Sequence, residues 1–255
     1  MSGCGRLFSL PVTFVMSLVL LLSSASHADT LSFLVQKSQP KYFLDNGDDR
    51  GLCGDIYALL KKRLEPKGIK VEVSAYYTPI KRILLMVETG RADAFCGAGR
   101  NEAREKRFVY SKNPVYDVSN IVVTHRDNPY VPQSYQDLYN ARIQVGALYG
   151  TSGARHLKEH LGNLVVDRFH TVEEALRLVA KKRLPFFYYH DLGLLYQVKN
   201  SELPIKALPT RFRTVSQWMI YSKKTTGHLR KTLDQEVSRM VESGEIDRIW
   251  DKYRK

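Results

Sequence analysis

Apolar positions along this chain fall into two alternating rhythms, one of short apolar runs and one of period three to four. Residues 31–35 form an apolar run that reads as a strand. A polar stretch follows, and Asp45-Asn46-Gly47-Asp48 within it marks a turn. Ile56, Leu59, Leu60 and Leu64 then recur at helical spacing, which predicts a helix over 54–64. A strand over 71–76, a helix opened by Pro79 with Ile80, Ile83, Leu84 and Val87 on one face, and a strand over 92–96 complete the first run. Strands and helices alternating in this order imply right-handed crossovers and a parallel sheet.

The same grammar then returns. Residues 142–145 read as a strand ending at Gly146, and Gly150-Thr151-Ser152 leads into a helix through 161. After a strand over 164–169, Thr171 and Glu174 form a capping-box pattern ahead of Val172, Ala175, Leu176 and Val179. A buried-type strand over 186–189 precedes a helix from Asp191. Extended runs at 118–125 and 216–221 flank this second unit, and helices carrying Leu229, Leu233, Val237, Met240 and Val241, then residues 246–253, close the chain. The expected fold class is α/β with two lobes, each a mostly parallel sheet flanked by helices, joined by two hinge strands. The first lobe takes residues 29–118 and 216–255, and the second takes 119–215.

The N-terminus has a different pattern. An apolar stretch over 7–22 lies behind Arg6 and ahead of Ser26-His27-Ala28, which is the arrangement of a secretory signal over residues 1–28. Its removal leaves 227 residues, enough for two lobes of about 100 each. No later stretch approaches the roughly 20 apolar residues of a membrane span, so the mature protein is expected to be periplasmic. Its formal charge is +13, or +12 without Arg6. The cations are spread along the chain among acids, as in residues 102–107. That spread and the export signal argue against a nucleic-acid partner and leave a basic surface that attracts acidic solutes. Cys53 and Cys96 fall at the same edge of the expected sheet and read either as a disulfide or as two separate buried thiols. His156 and His160 are four apart with no third ligand at a recognisable spacing, so no metal site is expected. Nothing in the chain has Ser-His-Asp logic or a nucleotide loop, and neither a cofactor nor a catalytic residue is expected.

Gly51-Leu52-Cys53-Gly54-Asp55-Ile56, Gly90-Arg91-Ala92-Asp93-Ala94, the segment from Arg104 to Ser111 with Phe108, Pro114 and Tyr116, and Ser134-Tyr135-Gln136-Asp137-Leu138 occur in a shared order. With Gly150-Thr151-Ser152 and the ending Ser243-Gly244-Glu245-Ile246…Trp250…Tyr253, the chain resembles the family 3 extracellular solute-binding proteins. The resemblance implies the type II periplasmic binding fold and a monomer that closes around an amino acid or other small carboxylate. The implied partner is the permease of an ABC importer. A membrane sensor is the alternative partner, and a cyclohexadienyl-dehydratase-like enzyme using His190 or Asp191 is a more distant reading.

By this resemblance Arg104 grips a ligand carboxylate, as a planar guanidinium does with two charge-assisted hydrogen bonds. Gly150, Thr151 and Ser152 open a helix whose free N–H groups and hydroxyls face an anion. Gly97 and Gly99 lie beside the ligand, while Tyr42, Phe43 and Tyr77 are candidates for an aromatic wall, and Arg82 is a further candidate for the cleft. Two places depart from the family. Asn101 and Gly99 stand where it often has threonines, and His190, followed by Asp191, stands where it has the aspartate that takes a ligand ammonium. A neutral histidine is no counter-ion for an ammonium. Either Asp191 takes that role or the ligand is not a standard α-amino acid.

Overall fold

The computed structural model describes residues 29–45 and 48–253, together with Met1 and Gly3. The expected export signal otherwise lies outside the described residues, as does the tip of the turn at 46–47. In chain order the strands are β1 (Asp29–Val35), β2 (Phe43–Asp45), β3 (Asp48–Arg50), β4 (Ile69–Tyr77), β5 (Ala94–Gly99), β6 (Val109–Tyr110) and β7 (Tyr116–His125). They continue as β8 (Val145–Leu148), β9 (Val165–Phe169), β10 (Phe186–His190), β11 (Ile205–Ala207) and β12 (Arg213–Tyr221). The helices are α1 (Leu52–Leu64), α2 (Ile80–Thr89), α3 (Glu102–Glu105), α4 (Tyr135–Asn140), α5 (Ser152–Leu161), α6 (Val172–Ala180), α7 (Asp191–Lys199), α8 (Gly227–Glu242) and α9 (Glu245–Tyr253).

One sheet runs through the molecule in the order β4-β1-β5-β12-β7-β10-β8-β9. β1 pairs in parallel with both β4 and β5, as right-handed crossovers through α1 and α2 require. The second lobe repeats this with β8 parallel to β10 and β9. Between them lie the two crossing strands. The first half of β12 pairs antiparallel with β7 and its second half with β5, so these strands join one lobe to the other. The apolar faces segregate accordingly. One core gathers Phe33, Leu52, Ile56, Val87, Phe95, Met219 and the inner faces of α8 and α9. The other lobe buries Leu176, Phe187 and Leu194 on one face of its sheet and Leu138, Leu157 and Phe186 on the other.

Several expectations shift. The strand foreseen over 142–145 begins at Val145 and runs on to Leu148, because Arg142 has a φ of 51° and ends the approach to it. Gly146 is therefore inside the strand, where an added Cβ would meet Leu184 at 2.6 Å, so the loop after α6 packs too close to the sheet for a side chain. On either side of residues 46–47, β2 and β3 pair antiparallel. At α6 only half of the foreseen capping box forms: Thr171 accepts from the Glu174 N–H, while Glu174 reaches back to the His170 N–H instead. The reciprocal box occurs at Ser134 and Asp137 of α4. Among the described residues no helix is long and apolar enough to cross a membrane.

Candidate functional site

The cleft between the lobes holds a cavity of about 560 Å³, including the space at its mouth. Arg104, Gly97, Gly99, Thr151, Ser152 and His190 all border it, drawn from sequence positions that span both lobes. Arg104 arrives through a one-turn helix. Asn101 caps α3 by accepting from the Arg104 N–H at 3.0 Å, and the guanidinium Nη1 turns back to donate to the Gly99 carbonyl at 2.9 Å. The side chain is 6% exposed, and no carboxylate among the described residues pairs with it. Burial pulls its pKa below the ordinary value; the Tyr110 hydroxyl opposes this, and Arg155 and Arg107 add to the fall. A buried cation surrounded by neutral groups and other cations is costly unless an anion joins it.

Facing it from the second lobe is the start of α5. Gly150 precedes the helix at φ 77°, the left-handed region that favours glycine. Thr151 serves as N-cap, accepting from the Ala154 N–H at 3.1 Å while its hydroxyl donates to the Leu148 carbonyl at 2.9 Å. Its hydroxyl is thus committed to the protein and does not add the donor expected of it. Ser152 has no such commitment, and the first-turn N–H groups of Ser152 and Gly153 have no intrahelical acceptor. The donor set facing Arg104 is one hydroxyl and backbone N–H groups at the positive end of a helix dipole.

His190 occupies the cavity wall at the end of β10 and also caps α7. Its Nδ1 accepts from the Gly193 N–H at 2.9 Å, which leaves the ring proton on Nε2. Burial first, and the Lys41 charge second, hold its pKa well below the usual value, so the ring is neutral. Asp191 does not stand in for the missing aspartate. Its carboxylate turns to the hinge side, accepting from the Ser119 N–H at 3.0 Å and pairing with Arg211. It lines a separate cavity there with Phe43 and Trp250.

The aromatic wall is corrected as well. Tyr42 is core: it is 1% exposed and its hydroxyl donates to the Cys96 carbonyl at 2.7 Å. Phe43 packs edge-on against Tyr196 at 5.6 Å on the hinge side. Tyr77 and Arg82 border a neighbouring cavity under α2. The aromatic side chains that do line the site are Tyr188 and Tyr189.

Sequence reasoning missed four polar residues of the wall, namely Gln36, Lys41, Asn120 and Gln217. Lys41 is 4% exposed, and its Nζ donates to Gln36 Oε1 and to the Gly97 carbonyl, each at 3.3 Å. The lysine stem occupies the space where a Gly97 side chain would project: an added Cβ would lie 2.9 Å from Lys41 Cδ and 2.3 Å from the Tyr116 hydroxyl. Burial lowers the Lys41 pKa; Cys53 and Cys96 oppose the fall and Arg104 adds to it. The position follows the first strand's C-terminal end, where ligands of α/β sheets collect, and that was its one legible signal.

Cys53 and Cys96 are buried, unbonded thiols placed side by side behind Lys41. Burial raises the Cys53 pKa, but hydrogen bonds from Cys96 and Tyr116 and the Lys41 charge outweigh it and hold the thiol low. Burial pushes the Cys96 thiol well above its ordinary value. His156 and His160 have ring nitrogens 3.3 Å apart, and no group of three or more metal-ligating side chains occurs among the described residues.

The lobes are closed on each other. Ser152 Oγ lies 2.7 Å from where a Gly99 Cβ would be, and Ser38 meets the Tyr189 hydroxyl at 3.2 Å. Lys81 of α2 sits over the Tyr149 ring at 3.6 Å, and Lys37 reaches Glu173 at 3.7 Å. Two parallel-sheet lobes, two crossing strands and a polar cavity between them define a type II periplasmic binding protein. The sequence model of the bacterial extracellular solute-binding proteins, family 3, matches residues 32–255, and the chain belongs to that family.

No curated protein matches the chain. Solved structures match its fold. One is an ancestral amino-acid-binding protein described as a precursor of cyclohexadienyl dehydratase, at 23% identity and TM-score 0.74, with 89% of this chain and 95% of that one covered. Another is the arginine-, lysine-, histidine-binding protein ArtJ of Geobacillus stearothermophilus, at 15% identity and TM-score 0.73, covering 89% and 95%. A histidine kinase sensor domain with similarity to periplasmic binding proteins aligns at 18% identity and TM-score 0.77, covering 89% and 96%.

Proposed function

We propose that this protein is a periplasmic clamp that closes around one small carboxylate-bearing ligand and delivers it to the permease of an ABC importer. The observation that carries this reading is the buried Arg104 guanidinium, without a carboxylate partner, facing the free N–H groups of α5 across the lobe boundary. A carboxylate placed there touches both lobes at once. Its contacts exist in full only when the cleft is shut, so the ligand stabilises the closed state by its differential affinity. The work is binding alone, and the reading predicts no turnover when the protein is incubated with prephenate or arogenate.

The test is mass spectrometry of ligand released from protein purified without refolding, followed by thermal melting with the compound found. Ligand at 100 times its Kd stabilises the folded state by about 2.7 kcal/mol. No melting shift across amino acids and small organic acids would overturn the reading. The likeness to a sensor domain supports a second reading, in which the same clamp reports its ligand to a membrane receptor. Reconstitution with a permease and ATPase separates the two, because only an importer component raises ligand-dependent ATP hydrolysis.

A further inference from the structure

The charged groups of the cavity do not suit an amino acid. Among the described residues its wall contains two charged side chains, Lys41 and Arg104, and no aspartate or glutamate. Both cations are more than nine-tenths buried, and each hydrogen-bonds only to neutral acceptors. His190, the one further titratable nitrogen in the wall, is neutral because its Nδ1 accepts a backbone N–H. An α-amino acid closed into this space brings an ammonium group that meets two cations and no counter-ion, a burial that water does not compensate. We propose that the ligand is a small dicarboxylate without an ammonium group, with one carboxylate held by Arg104 and the α5 N-terminus and the second by Lys41. This proposal rests on the clamp reading above and sharpens its ligand class.

Three observations support the assignment. Lys41 Nζ has three N–H donors, and its two protein bonds are long, so a donor remains for an anion. The two cationic heads are anchored on the carbonyls of Gly97 and Gly99, two residues apart on β5, which is roughly 6 to 7 Å of strand. A carbon chain with an acid at each end bridges such a gap, and a single carboxylate does not. The adjoining surface is also cationic. A neighbouring cavity that shares Arg104 and Thr151 is bordered by Lys81, Arg107, Arg155 and Lys158; Arg107 is paired with Glu88 at 2.6 Å and Lys158 with Asp167 at 2.9 Å, which leaves an excess of positive charge. Clustered charge of one sign at a cleft raises the local concentration of the opposite ion. The competing counter-ion for Lys41 is the Cys53 thiol behind it, whose thiolate would neutralise the lysine within the protein.

The experiment is calorimetric titration of the wild type, Lys41→Met and Arg104→Met with succinate, glutarate, 2-oxoglutarate, propionate, L-glutamine, L-glutamate and L-arginine. The wild type should bind at least one dicarboxylate at least 30-fold more tightly than any of the amino acids or propionate. Lys41→Met should lose 30-fold or more of that affinity while changing propionate binding less than threefold. Wild-type preference for an amino acid, or dicarboxylate affinity in Lys41→Met within threefold of wild type, overturns the dicarboxylate and leaves the clamp standing. If no compound binds the wild type, clamp and dicarboxylate both fall. The wild-type ranking decides the matter even where the lysine variant does not fold.

Discussion

Two groups of buried charge in the first lobe follow opposite rules. Behind the cleft, Glu236 of α8 is 2% exposed and is ringed by cations: Arg63 at 3.3 Å, Lys67 at 3.5 Å and Arg239 at 2.5 Å. Arg63 also reaches Glu245 of α9 at 2.5 Å, so this cluster ties the C-terminal helices to the end of α1, and both of its carboxylates are paired. At the cleft, Arg104 and Lys41 are also buried, yet among the described residues no carboxylate pairs with either. Buried charges retained for structure bring their partners with them, because an uncompensated one destabilises the fold. The cleft cations lack partners in a protein that supplies them elsewhere. The missing partner is therefore expected to arrive with the ligand.

The largest effect that tests this contrast is on affinity. Arg104→Met should weaken ligand binding by about 3 to 5 kcal/mol, since it removes one member of a desolvated charge pair and strands the other. Unliganded stability should hold or rise by about 1 kcal/mol, because an apolar side chain of similar length replaces an uncompensated charge. Calorimetry and urea unfolding read the two quantities separately. A large loss of unliganded stability would show that Arg104 is structural, as Glu236 is.

Glu236→Gln should do the reverse. It leaves Arg63, Lys67 and Arg239 around a neutral amide, and unfolding free energy should fall by about 2 kcal/mol, below the cost of fully buried pairs because these cations are partly exposed. Ligand affinity should stay within twofold. A wild-type denaturation midpoint in this variant would erase the distinction between the two clusters.

Gly99→Ala probes closure. The added methyl would stand 2.7 Å from Ser152 Oγ across the cleft, a contact made only when the lobes meet. We expect a loss of about 1 to 2 kcal/mol in affinity, typical of overpacking a well-filled site, with unliganded stability unchanged. Small-angle scattering should then show the ligand-induced contraction weakened. Full contraction with unchanged affinity would mean the lobes meet less tightly there.

How much of this was legible depended on whether a signal was local. The two lobes follow from strand and helix periodicity, and Arg104 and the α5 start from short motifs whose geometry is set within one turn of chain. His190 could be placed in the cleft by strand register. Of the two alternatives left open there, the one in which Asp191 substitutes fails, because the next position faces the other way and its carboxylate is taken up by the Ser119 N–H and Arg211. Tyr42 and Lys41 are adjacent in sequence, yet one points into the core and the other into the cleft. Which does which depends on how residues 36–42 fold back over Gly97, and no periodicity records that. The long-range pairing that leaves Lys41 without a carboxylate is invisible in a linear reading.

His190 gives the smallest test, and it concerns the neutral member of the cleft. Its folded pKa lies well below the ordinary value near 6.5, first because of burial and then because of Lys41. As pH falls through 6.5, the unfolded chain takes up a proton that the folded ring refuses. The unfolded state then binds more protons, so stability drops with falling pH. Between pH 7 and pH 6 this contributes a loss of roughly 0.7 kcal/mol from this residue, which His190→Gln should remove while keeping a hydrogen-bonding group at the N-cap. Urea unfolding of both proteins across that range is the measurement. Parallel pH profiles would mean that the ring titrates in the folded cleft as it does in the unfolded chain. Below pH 6.5 His190 would then be a third cation beside Arg104 and Lys41, drawing the site still further from any ligand with an ammonium group.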